Sequence, residues 1–135
     1  MVARSPVVAA CRSSDYATCT MSNSVIHFQI GGRDAATLKR FYQDVLGWEV
    51  DEPAPIGAIR TGTGAGIDGG LHQVDAHQRP YLAVYVAVDD LLGTVEKART
   101  AGADIIVPPT DVEGVGSFAM FQDPEGNCIG LWGTS

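Results

Sequence analysis

The chain has 135 residues, a formal net charge of −7, a hydrophobic fraction of 45% and a mean hydropathy of +0.06. This length predicts one domain with a substantial hydrophobic core, and no run approaches the roughly 18 apolar residues of a membrane helix. The acidic balance argues against non-specific binding of nucleic acid, which needs a basic face.

Residues 1–22 differ from everything that follows, because they are small, polar and aperiodic. They predict a disordered or loosely attached leader ahead of a single domain at 23–135. Their apolar run is shorter than the roughly seven residues that a signal-peptide core requires. We therefore expect a cytoplasmic protein.

The cysteines support the same expectation. Cys11, Cys19 and Cys128 form an odd set without a CxxC pair, which favours reduced thiols in a cytosolic protein over a disulfide framework. Cys128 falls in a predicted strand, where we expect a small core residue.

The first patterned half, about residues 24–76, predicts a strand, a helix and three strands. "VIHFQI" is β-branched and aromatic, as strands are, and "AATLKRFYQDVLG" has apolar residues at helical spacing. Asp34 is the predicted N-cap of this helix, and Gly47 is its predicted end. "WEVDEP" predicts a short strand, and "GAIRTGTGAGIDGGLHQV" predicts two strands around a glycine-rich turn.

The second half, about residues 79–133, repeats this order. "YLAVYVAV" predicts a strand, and Asp90 caps a predicted helix in "LLGTVEKARTAG". "ADIIVPP" predicts a strand that ends at Pro108. "GSFAMFQ" and "CIGLW" predict the last two strands, joined by the turn "DPEGN" with Gly126 at a left-handed position.

The two halves are in register with each other. Asp34 and Asp90 are separated by the same number of residues as the predicted strands Val25–Ile30 and Tyr81–Val86. Such self-similarity at a fixed spacing indicates an internal duplication. Two mixed copies predict a pseudo-twofold α+β domain with a cleft shared by its halves.

The motifs "FYQDVLGW" and "FQDPEGNCIGLW", within residues 24 to 132, resemble the vicinal oxygen chelate superfamily. That superfamily contains glyoxalase I, bleomycin-resistance proteins and extradiol dioxygenases. The resemblance implies an α+β fold of two tandem βαβββ modules, which form a curled mixed β-sheet around a cleft. It also implies a small organic molecule as partner and a homodimer.

In metal-dependent members of that superfamily each module supplies two ligands, one from its first strand and one from its last. Carried over one at a time, the four positions are His27, Gly70, Ala83 and Gly130. Only His27 can bind a metal, whereas zinc and iron sites need roughly three protein ligands. We therefore expect no metal cofactor. The alternative is one divalent ion held by His27 and His72.

Strand alternation predicts which side chains share the cleft, since residues of equal parity lie on one face of a sheet. If the four positions above face the cleft, so do their alternate neighbours. The predicted ligand-binding residues are His27, Gln29, Gly70, His72, Ala83, Tyr85, Gly130 and Trp132. The two glycines and the alanine would form a roomy floor beneath the others.

Each prominent side chain has an ordinary alternative. His27 is a ligand contact or a half-buried histidine bonded to the backbone, and His72 is a metal ligand, a general base or a solvent-facing turn residue. Tyr85 and Trp132 either stack on a ligand or simply pack.

Three functions remain open at this point, and the third is a non-catalytic interaction module in which the cleft is vestigial. The first is a metal-free small-molecule-binding protein of the bleomycin-resistance type, for which the acidic net charge favours a cationic ligand. The second is a glyoxalase-type lyase, isomerase or oxygenase, using His27 with a metal, or His27 or Tyr85 as an acid–base group. We expect neither nucleic acid nor a membrane as a partner for any of these functions.

Overall fold

The computed structural model describes residues 23–62 and 64–133. The predicted leader, with Cys11 and Cys19, lies outside the described residues. In chain order the elements are β1 (Val25–Gly32), α1 (Ala35–Leu46), β2 (Glu49–Val50), β3 (Ile56–Arg60), β4 (Gly69–Gln73), β5 (Tyr81–Val88), α2 (Leu91–Thr100), β6 (Asp104–Val112), β7 (Gly116–Gln122) and β8 (Cys128–Gly133).

The strands form one curled mixed sheet in the order β2-β3-β4-β1-β5-β8-β7-β6. The first strands of the two halves, β1 and β5, pair antiparallel at its centre. Each is flanked by the last strand of its own half in parallel, so β4 lies beside β1 and β8 beside β5. This symmetric order confirms the predicted fold of two βαβββ modules.

Both helices pack on one face of the sheet, over two separate clusters of buried side chains. Under α1 the cluster contains Ile59 and Leu71, with Phe28 against its edge. Under α2 it contains Val95 and Leu131. Because side chains alternate along a strand, the residues between these core positions have their side chains on the opposite face of the sheet.

The predicted helix boundaries are confirmed. The Asp34 side chain accepts a hydrogen bond from the Thr37 amide, and Gly47 ends α1 at a φ of 70°. Asp90 caps α2 in the same way, accepting from the Gly93 amide. Within the described residues no helix is long and apolar enough to span a membrane.

The predicted end of the sixth strand is wrong. β6 continues through Pro108 as far as Val112. It is the edge of the sheet and pairs only with β7, and its register shifts between Val107 and Thr110. A proline that lacks an amide hydrogen is tolerated on such an irregular edge.

Candidate functional site

A cavity of about 950 Å³ lies against the sheet face that the helices do not cover. His27 and Gln29 line it, whereas Phe28 between them packs into the core under α1. His72, Tyr85 and Trp132 also line it. The structure thus brings together the five larger side chains that strand alternation assigns to one face.

The cavity has two chemically different ends. Most polar lining residues lie on β1, on β4 and at or just before the start of β5, and we call this group the polar end: Gln29, His72, Gln78, Arg79 and Tyr81. Ile56 of β3, which pairs with His72, adds an apolar side chain there. The apolar end lies on and between β6, β7 and β8, where the apolar side chains include Val107, Val112, Phe118, Met120 and Trp132, and where Gln122 is polar.

Hydrogen bonds connect the side chains of the polar end. The Tyr81 hydroxyl lies 2.9 Å from Nε2 of Gln29, which donates to it, and 2.9 Å from Nδ1 of His72. Gln29 is only 8% exposed, so its amide needs this partner. Gly31 makes room for the Tyr81 ring, since a β-carbon at position 31 would overlap it.

His27 lies nearer the middle of the cavity. Its ring meets the Tyr85 ring edge to face, with centroids 5.5 Å apart. Burial lowers the pKa of His27, and a hydrogen bond to the Gln29 side chain partly opposes that shift. Burial also lowers the pKa of His72. Both imidazoles are therefore mainly neutral at physiological pH.

The surroundings of Tyr85 suit an aromatic side chain that lines the cavity rather than a proton donor. Within the described part of the chain its hydroxyl bonds only to the Met120 sulfur, at 3.7 Å, and burial raises the pKa of the phenol to about 12. A group with so high a pKa exchanges protons poorly near neutral pH. Burial also raises the pKa of Tyr81, although the hydrogen bond from Gln29 partly opposes that shift, and Tyr81 differs from Tyr85 in having two polar partners.

The predicted floor of small residues differs from the structure. Gly70, Ala83 and Gly130 are not among the residues that line the cavity. A β-carbon at Gly130 would lie 2.6 Å from ring carbons of Tyr85, so this ring fills the space that the prediction left empty. A β-carbon at Gly70 would lie 3.4 Å from Nε2 of His27, in ordinary or slightly tight contact.

The four positions inferred for metal ligands do not fit a metal ion. Gly70, Ala83 and Gly130 have no donor atoms in their side chains, and the Tyr85 ring covers the last of them. Across 23–62 and 64–133, no three His, Cys, Asp or Glu side chains come together as a group that could hold an ion.

Among the residues that the structure describes, no aspartate or glutamate lines the cavity, although the chain as a whole carries a net charge of −7. The charged side chain that does line it is Arg79, which is exposed. The local charge is thus opposite in sign to the net charge. This removes the basis for expecting a cationic ligand from composition.

Sequence reasoning missed Tyr81 and misassigned Cys128. Tyr81 has the same parity as Tyr85 on β5, and Cys128 has the same parity as Trp132 on β8. Strand alternation therefore predicts that both side chains lie on the cavity face of the sheet. Cys128 lines the cavity and is partly exposed rather than a core residue. Burial raises the pKa of its thiol, which does not favour a reactive thiolate.

Residues 24–131 match the family model of the Glyoxalase/Bleomycin resistance protein/Dioxygenase superfamily. The anthracycline biosynthesis protein DauV of Streptomyces sp. (strain C5) is 32% identical over 124 residues, which cover 78% of this chain and 45% of that protein. A glyoxylase-like domain-containing protein of Didymella fabae is 30% identical over 125 residues, covering 76% of this chain and 91% of that protein. The chain therefore spans less than half the length of the first of these relatives.

Solved structures show the same fold. The Mn(II)-bound glyoxalase from Novosphingobium aromaticivorans aligns with a TM-score of 0.58 at 20% identity, over 82% of this chain and 40% of that one. A glyoxalase/bleomycin resistance protein/dioxygenase superfamily member from Vibrio splendidus 12B01 aligns with a TM-score of 0.54 at 18% identity, over 83% of this chain and 98% of that one.

Proposed function

The chain belongs to the Glyoxalase/Bleomycin resistance protein/Dioxygenase superfamily, and on that premise we propose that it binds one small organic molecule in its cavity without a metal ion. The observation that carries this proposal is the lining of the cavity. A concave site with apolar and aromatic walls and a few convergent polar groups is the usual form of a site for an organic ligand.

The size and the wall of the cavity support this function. Its volume of about 950 Å³ falls within the range of drug-sized ligand sites. Phe118 and Trp132 are paired on neighbouring strands, and their rings offer an aromatic surface at the apolar end. The role of the relative DauV in anthracycline biosynthesis is compatible with an aromatic ligand.

Binding without a metal is supported by the donor set. Only His27 among the four inferred positions has a donor atom in its side chain. The alternative is a metal ion held by His27 and His72, but Nδ1 of His72 already forms a hydrogen bond with the Tyr81 hydroxyl. One pair of histidines is also fewer than the roughly three protein ligands of a tight zinc site.

The test is calorimetric titration with biphenylcarboxamide, a neutral aromatic probe, in the presence and absence of a chelator. We expect binding that the chelator does not change and that Phe118→Ala weakens several-fold. Leu92→Ala is the control, because Leu92 is 68% exposed on α2, across the sheet from the cavity. No measurable heat and no rise in melting temperature at high concentration, with this amide and with its carboxylate analogue alike, would contradict the proposal.

A second candidate is metal-free acid–base catalysis on an enolisable ligand, which the contact between Tyr81 and His72 favours. One group would take a proton from the carbon beside a carbonyl, and the other would donate one to the carbonyl oxygen. The measurement is deuterium uptake by phenylacetone in heavy water. Uptake above the buffer rate that His72→Ala abolishes would establish catalysis, and uptake at the buffer rate would exclude it for this probe.

We also propose a cytoplasmic homodimer. The support is an exposed apolar patch on α1, formed by Phe41, Val45 and Leu46, each at least half exposed. Patches of this kind commonly mark contacts between proteins. Light scattering at several protein concentrations would measure the mass of the particle, and a monomer throughout would contradict the dimer.

A further inference from the structure

We propose that the ligand is an organic anion, with an apolar body and one acidic oxygen head group that lies against Arg79 and His72. The inference rests on the proposed function, because it assigns a chemical class to the occupant of the same cavity. It depends on three observations about the lining: its charge, its hydrogen-bond donors and the separation of its two ends.

The charge of the lining is positive despite the acidic chain. Among the described residues that line the cavity there is no carboxylate and one guanidinium, that of Arg79. In the described parts of the chain, no salt bridge or side-chain hydrogen bond involves Arg79. Arg33 and Arg40 also have no salt bridge there, but they donate to neutral oxygens and do not line the cavity. An arginine without a counter-ion at a cavity wall suits a carboxylate or phenolate of the ligand, which it can bind with two parallel hydrogen bonds.

The hydrogen bonds of the polar end direct further donors towards the ligand. Gln29 donates to the oxygen of Tyr81, so the hydroxyl hydrogen of Tyr81 is free to point at Nδ1 of His72. A neutral imidazole that accepts at Nδ1 carries its proton on Nε2. His72 then presents an N–H group, and the polar end offers donors beside the positive charge of Arg79.

The position of Arg79 joins these donors into one subsite. Gly31 of β1 pairs with His72 on one side and with Tyr81 on the other, so these three residues form one row across the sheet. Arg79 precedes Tyr81 by two residues, immediately before β5 begins. The head group would thus be bound at one end, while the apolar body contacts Phe118, Met120 and Trp132 at the other.

The main rival is a cation held on aromatic faces. Tyr85, Phe118 and Trp132 line the same cavity, and a positive group within about 6 Å of such a ring is attracted to it. A neutral ligand that uses only the apolar end is the other rival. A cationic site and a neutral site would each prefer a ligand of a different charge from the proposed anion. The three possibilities can therefore be distinguished with probes that share one apolar group and differ only in charge.

The experiment compares biphenylcarboxylate, biphenylcarboxamide and biphenylmethylammonium by calorimetric titration near neutral pH. We expect the carboxylate to bind about tenfold more tightly than the amide, and the ammonium to bind most weakly. Arg79→Gln should remove most of the preference for the carboxylate and leave the amide unchanged. Arg79→Lys should keep part of that preference, because it keeps the charge but loses the planar fork.

Arg40→Gln is the matched control, since it removes the same charge from the exposed side of α1 and should alter none of the three affinities. Equal binding of all three probes, tightest binding of the ammonium, or equal weakening of all three by Arg79→Gln would overturn the anion assignment and leave the binding function intact. Failure of every probe to bind would instead count against the binding function itself.

Discussion

The ring of Tyr85 lies over Gly130 on the neighbouring strand β8, where a β-carbon would stand 2.6 Å from two ring carbons. Position 130 is the one at which metal-dependent members of the superfamily are expected to hold their last ligand. In this chain the absence of a side chain at 130 does not enlarge the cavity. It allows an aromatic ring to cover the strand.

We predict that Gly130→Ala destabilises the fold by about 1–3 kcal/mol, because the added methyl group overpacks against a ring that is only 6% exposed. Gly70→Ala is the matched control. Neither glycine has a positive φ, and the nearest atoms to a β-carbon at Gly70 are side-chain atoms at 3.3–3.4 Å. Denaturant unfolding of both variants measures the difference.

A double-mutant cycle identifies the cause of that loss. In a Tyr85→Ala background the same Gly130→Ala substitution should cost less, since the ring that it meets is gone. An equal loss in both backgrounds would show that the ring does not cause it.

We predict that Tyr81→Phe lowers stability by about 1–3 kcal/mol, because it leaves the buried Gln29 amide and Nδ1 of His72 without their shared partner. Tyr85→Phe should cost no more than about 0.5 kcal/mol, since a hydroxyl bonded to sulfur at 3.7 Å contributes little. Both variants keep the ring, so the comparison of their unfolding midpoints isolates the two hydroxyl groups. A larger loss for Tyr85→Phe would contradict the assignment of the polar end.

The fold could be predicted from the sequence because several local signals agree. Asp34 and Asp90 cap helices at equivalent positions of the two halves, and the strands recur with the same spacing. Alternation then placed His27 and Trp132 on one face without any knowledge of the pairing of strands. Where signals at different levels agree in this way, the sequence specifies one architecture.

The interior of the site could not be predicted, because it depends on contacts between strands far apart in the chain. Nothing local to Gly130 indicates that the ring of Tyr85 fills its place. The hydrogen bonds of Tyr81 likewise require the register that sets Gly31 between β4 and β5. The net charge of the chain does not indicate the charge of the lining, since the described lining residues include no carboxylate, although Asp68 is close enough to act on the pKa of His27.

We predict that the protein, dialysed against zinc or manganese and then freed of excess ion, retains far less than one ion per chain. The physical reason is the lack of side-chain donors at three of the four expected positions, which leaves His27 alone. Elemental analysis of the wild type and of His27→Ala measures the content. A stoichiometric ion in the wild type that is absent from the variant would overturn the metal-free assignment.

The stability of the fold should depend on pH through the two cavity histidines. Burial holds the pKa values of His27 and His72 below 6.5, so in this range the unfolded chain binds protons more readily than the folded one. Their contribution to stability is therefore complete above that value and is lost as the pH falls through the folded-state pKa values. The carboxyl groups with lowered pKa values, those of Asp34, Asp51 and Asp123, affect stability only in stronger acid.

Between about pH 7.5 and pH 5.5 we expect the unfolding midpoint of the wild type to fall, and that of His27→Gln/His72→Gln to fall less. His77→Gln, in an exposed loop, should follow the wild type. Parallel curves for the double variant and the wild type would show that the two cavity histidines do not cause the pH dependence.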